Sequence, residues 1–311
     1  MEKLPKICLG AWAWGNDGTF GNVLTEEMLK PVFNRGMELG LNLWDNAYVY
    51  GMGESEKVLG HFFKEHKRDE YLISAKFTPQ CASMFGKEPV RGMFETSDKL
   101  LNTDGTMDFY WIHNPVGAPK WIKELIPLAK EGKIKHIGVS NHSLAEIKEA
   151  NEILAKEGLR IEAVQNHYSL INRSSETSGI LDYCKENDII FFSYMVIEQG
   201  ALTGVFTKEH PFPTNSDRGL KYNPLLDKLE IINGALRKVA NNHKATISQI
   251  AIAYVINKGT LPIVGATKVK HVEEAYEASK IILNDDEIKY LEKVASEVNL
   301  NTIREWEKEM K

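Results

Sequence analysis

Four side chains of complementary chemistry lie at or just past the ends of three apolar runs of this sequence. Asp45 supplies a carboxylate, Tyr50 a phenol, Lys76 an ammonium and His113 an imidazole. The set suits reduction of a carbonyl group, in which the phenol donates a proton and the imidazole orients the carbonyl oxygen. A free tyrosine titrates at a pKa of about 10, and a nearby ammonium lowers that value. We therefore expect Tyr50 to be the general acid, Lys76 to lower its pKa and Asp45 to hold Lys76.

A structural interpretation of the same residues is also available. Asp45 and Lys76 would then form an ion pair that ties two strands together, and His113 would be a satisfied core residue. The position of these side chains along the predicted elements decides between the two interpretations.

Strand-like and helical segments alternate along the chain. Apolar runs typical of parallel strands span Cys8–Ala11, Leu41–Asp45, Tyr71–Lys76, Met107–His113, His136–Ser140, Ile161–Gln165, Ile189–Tyr194 and Leu261–Gly265. Amphipathic helices are predicted at Glu26–Leu39, Ser55–His66, Lys120–Glu131, Ser143–Glu157, Ser178–Asn187, Lys270–Ile282 and Asp285–Val298. Asn284 with Glu287 forms a capping box before the last helix. The pattern predicts α/β architecture with a single (β/α)8 barrel domain over residues 1–311.

Two further features bear on the fold. Thr203–Asn223 is rich in Gly, Pro, Asn and Asp, and a loop of this length is usually functional, here one that covers a cofactor. The competing fold, an open doubly wound sheet, requires a glycine-rich phosphate loop, and the segment 51–56 (GMGESE) lacks its third glycine.

Polar or glycine residues stand at the ends of seven predicted strands. In a barrel the C-terminal strand ends form one rim, where functional residues lie. The rim would carry Asp45, Lys76, His113, Asn141, Gln165, Tyr194 and Gly265. This common position favours the catalytic interpretation over the structural one.

Hydride transfer requires a donor that no side chain supplies, so a nicotinamide cofactor is implied. Ser140, Asn141 and Gln165 offer hydroxyl and amide groups to its carboxamide, and Tyr194 offers a flat ring for stacking. Gly265, Thr267 and Lys268 precede a predicted helix, whose N-terminus suits the 2′-phosphate of NADPH. Lys268 is alternatively a solvated surface lysine.

The predicted substrate pocket is aromatic and largely apolar. By their places in the loops that follow the strands, its lining residues are Trp14, Tyr48, Met84, Phe85, Trp111 and Ile197. Some of these would simply pack the barrel rim. Nothing in the set selects among sugars, pyridoxal, methylglyoxal, steroids and quinones as substrates.

Composition excludes several other classes of function. The net charge is −5, with no block of like charge, which argues against nucleic-acid or membrane partners. The three cysteines, Cys8, Cys81 and Cys184, have neither disulfide nor zinc spacing, and the histidines are scattered, so no metal is expected. We expect a cytoplasmic protein acting on a small molecule.

Several segments resemble motifs of the aldo-keto reductase family. These are 40–51 (GLNLWDNAYVYG) followed by 53–56 (GESE), 138–141 (GVSN), 165–170 (QNHYSL) and 262–265 (PIVG), and the similarity runs from Leu9 to the final helices. The resemblance implies a (β/α)8 barrel and NAD(P)H-dependent interconversion of aldehydes or ketones with alcohols. It also implies a catalytic tetrad of Asp45, Tyr50, Lys76 and His113.

The resemblance assigns cofactor-binding roles as well. Ser140, Asn141 and Gln165 would hold the carboxamide, and Tyr194 would stack on the ring. The segment 200–204 (GALTG), with Leu202 and Gly204, resembles the start of the family's loop over the pyrophosphate. The long stretch 203–223 is similar to the bacterial and potassium-channel β-subunit-like branch.

Four positions depart from the family's pattern. Asn46 stands where Thr or Ser is common, and Val196 replaces a usual proline. His271 stands where an arginine or glutamine often helps to bind the 2′-phosphate, and Ala275 where an asparagine often meets adenine. A neutral histidine binds phosphate less strongly than a guanidinium. The expected cofactor is NADPH, held at its adenosine end by residues that include His271 and Glu274, with NADH as the alternative.

Two other classes of function stay open from the sequence. One is a nucleotide-binding regulatory subunit of the same fold, which senses redox state with weak turnover. The other is a phosphate-binding lyase or isomerase barrel, which would leave Asn141, Gln165 and Tyr194 without a role.

Overall fold

Eight parallel strands close into a barrel in the order of the sequence. The computed structural model describes residues 4–21, 23–304, 307 and 310, so the extreme ends of the predicted 1–311 domain lie outside the described residues. The strands are β1 (Cys8–Gly10), β2 (Leu43–Asp45), β3 (Leu72–Phe77), β4 (Met107–Ile112), β5 (Ile134–Ser140), β6 (Ala163–His167), β7 (Ile190–Tyr194) and β8 (Leu261–Gly265).

Helices follow the strands and surround the barrel. In the described part of the chain they are α1 (Glu26–Glu38), α2 (Glu54–Phe63), α3 (Pro89–Leu101), α4 (Ala118–Lys130), α5 (Leu144–Ala155), α6 (Ser174–Thr177), α7 (Ile180–Glu186), α8 (Asp217–Tyr222), α9 (Leu226–His243), α10 (Ile247–Asn257), α11 (Val269–Ala278) and α12 (Asp285–Val298). None of the described helices is long and apolar enough to cross a membrane.

The predicted (β/α)8 barrel is confirmed, with shifts at the element ends. Five of the described helices, α3, α6, α8, α9 and α10, were not predicted. The segment 203–223 is not a continuous loop, because it contains α8, whose N-terminus is capped by the Ser216 hydroxyl accepting from the Gly219 N–H. The capping box predicted before the last helix is present: Asn284 caps α12, and the Glu287 side chain returns to the Asn284 backbone.

Aromatic side chains fill the barrel interior below the C-terminal rim. Phe109 and Trp111 of β4 meet Phe192 of β7, with ring centroids 5.1 Å apart in each case. Trp111 pairs in register with Gly138 of β5, and a Cβ at Gly138 would lie 2.2 Å from the indole. A glycine is therefore required there if the indole is to close the barrel floor.

The register of the sheet brings polar residues together above this floor. Asp45 pairs with Ser74 of β3, and Ser140 pairs with Gln165. Side chains alternate between the two faces of a strand, so Ser74 and Lys76, two residues apart, both point into the barrel beside Asp45. The barrel thus presents a polar layer on an aromatic floor.

Candidate active site

The centre of the site is a buried ion pair that touches a phenol. The Lys76 ammonium lies 2.6 Å from Asp45 Oδ2, 2.8 Å from the carbonyl oxygen of Asn46 and 3.1 Å from the Tyr50 hydroxyl. The Lys76 side chain has no solvent exposure, and that of Asp45 is 5% exposed. An ammonium has three hydrogens, and these three oxygens account for all of them.

The Asp45 carboxylate is fixed from two further sides. Its Oδ1 accepts from the Ser74 hydroxyl at 2.6 Å and from the Gln165 amide nitrogen at 3.0 Å. The Trp111 indole N–H donates in turn to Ser74 at 2.7 Å. A buried charge is tolerated only when its hydrogen-bonding capacity is satisfied, and here both carboxylate oxygens have partners. Sequence reasoning missed Ser74, although its two-residue spacing from Lys76 placed it on the same face.

Burial and charge act on Tyr50 in opposite directions. Burial raises the pKa of Tyr50 above its ordinary value, Lys76 lowers it, and Asp45 raises it. Lys76 thus acts on the phenol in the expected direction, but the net pKa is raised because the low-dielectric surroundings outweigh the ammonium. Burial lowers the pKa of Lys76, but Asp45 and Tyr50 outweigh that effect and raise it, so the lysine is charged.

His113 lies beside Tyr50 as a neutral imidazole. The two ring centroids are 6.0 Å apart, and His113 Nδ1 is 2.8 Å from the Thr78 hydroxyl. Burial, with a contribution from Lys76, holds the pKa of His113 well below its usual range. Thr78 was not among the predicted site residues. It follows β3 two residues after Lys76, which is the signal that could have identified it.

Tyr50 is positioned by close contact between two loops. Gly51 has a φ of 65°, and a Cβ there would lie 2.1 Å from the carbonyl oxygen of Gly15. This approach brings the loop after β1 against Tyr50, where the Trp12 ring stacks on the phenol with centroids 5.6 Å apart. Phe20 meets Trp12 edge-on at 5.5 Å. Neither Trp12 nor Phe20 was predicted as a site residue, although Trp12 lies only two residues after β1.

The predicted carboxamide-binding residues lie side by side at the rim. Asn141 adopts a left-handed conformation with a φ of 62°, and its Nδ2 donates to the His113 carbonyl oxygen at 3.0 Å. Its backbone N–H donates to the Gln165 carbonyl oxygen at 3.1 Å. Ser140 and Gln165 are buried, and the Tyr194 hydroxyl reaches Asn141 Oδ1 at 2.5 Å. The structure therefore brings these four residues together, next to the ion pair.

The segment after β7 has an unusual backbone. Met195, Glu198 and Gln199 have φ values of 60°, 49° and 53°, in a region that few non-glycine residues adopt. A short 3₁₀ segment, Glu198–Thr203, follows, with Leu202 fully buried and Gly204 at a φ of 69°. Strained backbone of this kind is concentrated at functional sites.

The predicted phosphate-binding residues lie between β8 and α11. Gly265 and Lys268 are exposed, and Thr267 donates its backbone N–H to His271 Nδ1 at 3.3 Å. Burial and Lys268 lower the pKa of His271, so its imidazole is neutral. Glu274 lies one turn further along α11, with its carboxylate 3.6 Å from the Lys270 ammonium. Lys268 is thus the cation of this group closest to the N-terminus of α11.

Two of the six predicted pocket residues are placed elsewhere. Trp14 is fully buried in the core, where it packs on Trp44 and Phe62 and donates to the Ala266 carbonyl oxygen. Trp111 lies in the barrel floor. Both expectations failed because an aromatic residue near a strand end can also pack inward.

The other predicted pocket residues are accessible. The Tyr48 and Phe85 rings meet edge-on at 5.1 Å, both partly exposed. Met84 is exposed and Ile197 is partly exposed.

Comparison with known proteins shows which family the chain resembles in sequence. A model of the aldo/keto reductase family matches residues 6–296. The chain is 30% identical to the chloroplastic pyridoxal reductase of Arabidopsis thaliana over 302 residues. This aligned region covers 93% of this chain and 82% of the Arabidopsis protein. The chain is also 29% identical over 286 residues to the NADP(+) aldo-keto reductase yakc of Schizosaccharomyces pombe, covering 85% and 82% of the two chains.

Solved structures share the fold. A Klebsiella pneumoniae aldo/keto reductase, solved in complex with NADP and acetate, superimposes with a TM-score of 0.73 at 23% identity, covering 99% of this chain and 95% of that one.

Proposed function

The chain belongs to the aldo-keto reductase family, and from this premise we propose that it reduces aldehydes or ketones to alcohols, reversibly, with NADPH as preferred cofactor. The observation that carries the proposal is the 3.1 Å hydrogen bond between Lys76 and Tyr50 beside the buried Asp45. When bound, the nicotinamide supplies the hydride. The residues of this chain supply the proton and the orientation.

Tyr50 acts as general acid on the carbonyl oxygen. Its hydroxyl accepts from Lys76, which leaves the phenolic hydrogen available for the substrate. As the proton leaves, the ammonium stabilises the developing phenolate, and Asp45 holds the ammonium in place. In the oxidative direction the phenolate takes the alcohol's proton. The raised pKa of Tyr50 favours the protonated form, which is the form that reduction requires.

His113 orients the carbonyl oxygen. The proposed role requires the tautomer in which Nδ1 accepts from the Thr78 hydroxyl; Nε2 then carries the ring hydrogen and can donate to the substrate. The low pKa of His113 keeps the imidazole neutral. It therefore acts as a hydrogen-bond donor and does not compete with Tyr50 as a proton source.

The residues at the rim fit a nicotinamide nucleotide. Gln165 uses its amide nitrogen on Asp45, so its oxygen can accept from the carboxamide, and Asn141 Oδ1 and the Ser140 hydroxyl flank the same place. Tyr194 offers a ring for stacking. Leu202 and Gly204 belong to the segment that would cover the pyrophosphate. The S. pombe relative is named for NADP(+), which supports a phosphorylated nucleotide.

The 2′-phosphate of NADPH is assigned to the start of α11. Thr267 and Lys268 supply a hydroxyl and a cation at a helix N-terminus, where anions are favoured. The neutral His271 adds a hydrogen bond without a charge, and Glu274 lies at the edge of this group.

The substrate would enter between Trp12, Tyr48, Phe85 and Ile197, an aromatic and apolar mouth. This favours a carbonyl compound with an apolar or aromatic body. The Arabidopsis relative is named as a pyridoxal reductase, and pyridoxal is an aromatic aldehyde of this kind.

A pair of measurements tests the proposal. Tryptophan fluorescence is followed during titration with NADPH and, in parallel, with NADH, and turnover is then measured with an aromatic aldehyde such as pyridoxal. We expect saturable quenching by NADPH at lower concentration than by NADH, and oxidation of the nucleotide only when aldehyde is present. Binding of neither nucleotide would refute the function. Tight binding without turnover on any aldehyde or ketone would favour the regulatory alternative.

A further inference from the structure

A buried network of charged side chains joins Glu307, near the C-terminus, to Tyr194. The Glu307 carboxylate lies 2.8 Å from the Tyr194 hydroxyl through Oε1 and 2.9 Å from His167 Nδ1 through Oε2. His167 Nε2 lies 2.8 Å from Glu198, which follows β7. The side chains of Glu307, His167 and Glu198 are 2%, 4% and 0% exposed. The proposed catalytic mechanism uses none of these three residues.

The charges in this network are fixed by their neighbours. Burial lowers the pKa of His167, but Glu198 and Glu307 outweigh it and raise the pKa to about 10. Burial raises the pKa of Glu307, but His167, the Arg304 N–H and Tyr194 outweigh it and lower the pKa below its usual range. His167 is therefore an imidazolium, and Glu307 is a carboxylate that only accepts hydrogen bonds.

The hydrogen bonds around Tyr194 do not balance in a single arrangement. Its hydroxyl is within hydrogen-bonding distance of two acceptors, Asn141 Oδ1 at 2.5 Å and Glu307 Oε1 at 2.8 Å. A phenol carries one hydrogen, and neither a carboxylate nor an amide oxygen has one to give. The Asn141 amide cannot be flipped to place its Nδ2 beside the Tyr194 hydroxyl as a donor, because Nδ2 already donates to the His113 carbonyl oxygen and to the Ser140 hydroxyl. One of the two acceptors therefore lacks a donor.

The ionised carboxylate is the stronger acceptor. When the Tyr194 hydrogen points to Glu307, Asn141 Oδ1 faces the phenolic oxygen without a hydrogen between them and requires a donor from elsewhere. Asn141 is the residue proposed above to accept from the cofactor's carboxamide, whose NH₂ group is such a donor.

We propose that Glu307 is a positioning residue for the cofactor site: by taking the hydroxyl hydrogen of Tyr194, it frees the side-chain oxygen of Asn141 to accept from the nicotinamide carboxamide. The inference rests on the proposed function, because it deepens the description of the same cofactor site. Glu307 thereby contributes to cofactor binding without itself touching the nucleotide. Glu198 and His167 keep Glu307 ionised: Glu198 raises the pKa of His167, and the His167 imidazolium in turn lowers the pKa of Glu307.

A double-mutant cycle on the full-length protein tests the inference. NADPH dissociation constants are measured for the unmodified protein, Glu307→Gln, Tyr194→Phe and the double variant. The amide of Glu307→Gln is a weaker acceptor and can itself donate to the phenol, so the Tyr194 hydrogen turns to Asn141. We expect about tenfold weaker NADPH binding from Glu307→Gln when Tyr194 is present, and less than a twofold effect of the same change in Tyr194→Phe, where there is no hydroxyl hydrogen to share.

The controls separate this inference from its alternatives. Glu297→Gln, on the exposed face of α12, should change NADPH affinity in neither background. Equal losses from Glu307→Gln in both backgrounds would show that Glu307 acts on affinity independently of the Tyr194 hydroxyl, and no loss in either would also overturn the inference. If Glu307→Gln does not fold, the same cycle is made with Glu307→Asp, which keeps the charge beside His167 but cannot span both partners. Failure of the unmodified protein to bind NADPH would instead refute the proposed function.

Discussion

The ammonium of Lys76 lies 3.1 Å from the phenolic oxygen of Tyr50 and has no solvent contact. Because the other two hydrogens of the ammonium are taken by Asp45 and the Asn46 carbonyl oxygen, the lysine cannot turn away from the phenol. The polar layer of the barrel therefore holds an ammonium against the hydroxyl of Tyr50, the proposed general acid.

Tyr50→Phe should remove most of the turnover. The change deletes the hydroxyl that donates the proton but keeps the ring that stacks on Trp12. We expect kcat for aldehyde reduction to fall about 10²- to 10⁴-fold, with NADPH affinity nearly unchanged. Steady-state kinetics together with fluorescence titration check both parts. A kcat within a few-fold of the original value would mean that another group is the acid.

Lys76→Met should change both stability and pH dependence. Removal of one partner of a buried ion pair leaves Asp45 uncompensated, at a cost of about 3–5 kcal/mol in the free energy of unfolding. The double variant with Asp45→Asn removes both charges and should recover most of that loss in urea unfolding, but not the activity. An equally unstable double variant would contradict this assignment of the loss to the unpaired charge.

The kinetic part of the Lys76 prediction concerns alcohol oxidation. Oxidation requires the phenolate, so its rate rises with pH as Tyr50 ionises. Lys76 lowers the pKa of Tyr50, and its loss should therefore move this rise to higher pH. Because the pKa of Tyr50 lies above the ordinary tyrosine value of about 10, the oxidation rates of Lys76→Met and of the unmodified protein are compared over a pH range that extends above that value, so that the midpoint of the rise in the unmodified protein is included. A pH profile of unchanged shape would remove the proposed coupling between the two residues.

The sequence was sufficient to predict the barrel and to bring Asp45, Tyr50, Lys76 and His113 to one place. The reason is that strand ends in a parallel barrel share a rim, so spacing along the chain translates directly into position. Spacing along the chain does not, however, determine whether a side chain at the rim points towards the mouth or into the core. Trp14 and Trp111 were expected at the mouth, but each has an indole N–H that finds a buried partner, Ala266 for Trp14 and Ser74 for Trp111.

Contacts between residues far apart in sequence could not be predicted in this way. Glu307 reaches Tyr194 across 113 positions, and no periodicity links the two. The effect of Lys76 on the pKa of Tyr50 follows from the sequence, but the larger opposing effect of burial does not, because desolvation depends on the complete three-dimensional environment.

Lys268→Ala should discriminate between the two nucleotides. Lys268 is exposed just before α11, where its charge would attract a 2′-phosphate, a group that NADH lacks. We expect NADPH to bind about tenfold more weakly and NADH to bind as before. Lys270→Ala is the matched control, since Lys270 is also exposed but is paired with Glu274. Equal losses for both nucleotides would place the 2′-phosphate elsewhere.

Glu56→Gln should alter the pH dependence of stability. Glu56 is fully buried in α2, and burial raises its pKa to about 8 against the opposing effects of Ser97 and Lys76. The folded state thus keeps a proton that the unfolded chain loses near a pKa of about 4.3. The stability linked to Glu56 is complete below that value and is lost as pH rises towards 8, by up to about 1.4 kcal/mol per pH unit.

Glutamine is neutral at every pH and does not have this dependence. The free energy of unfolding is measured by urea titration at pH 5, 6.5 and 8. The value for Glu56→Gln should therefore increase relative to that of the unmodified protein as the pH rises. Glu54→Gln, an exposed position in the same helix, should show no such trend. A constant difference between Glu56→Gln and the unmodified protein across this range would mean that Glu56 is ionised in the folded state. Its charge would then have to be balanced by Lys76, and the ion pair of Lys76 with Asp45 would be part of a larger buried cluster of charges.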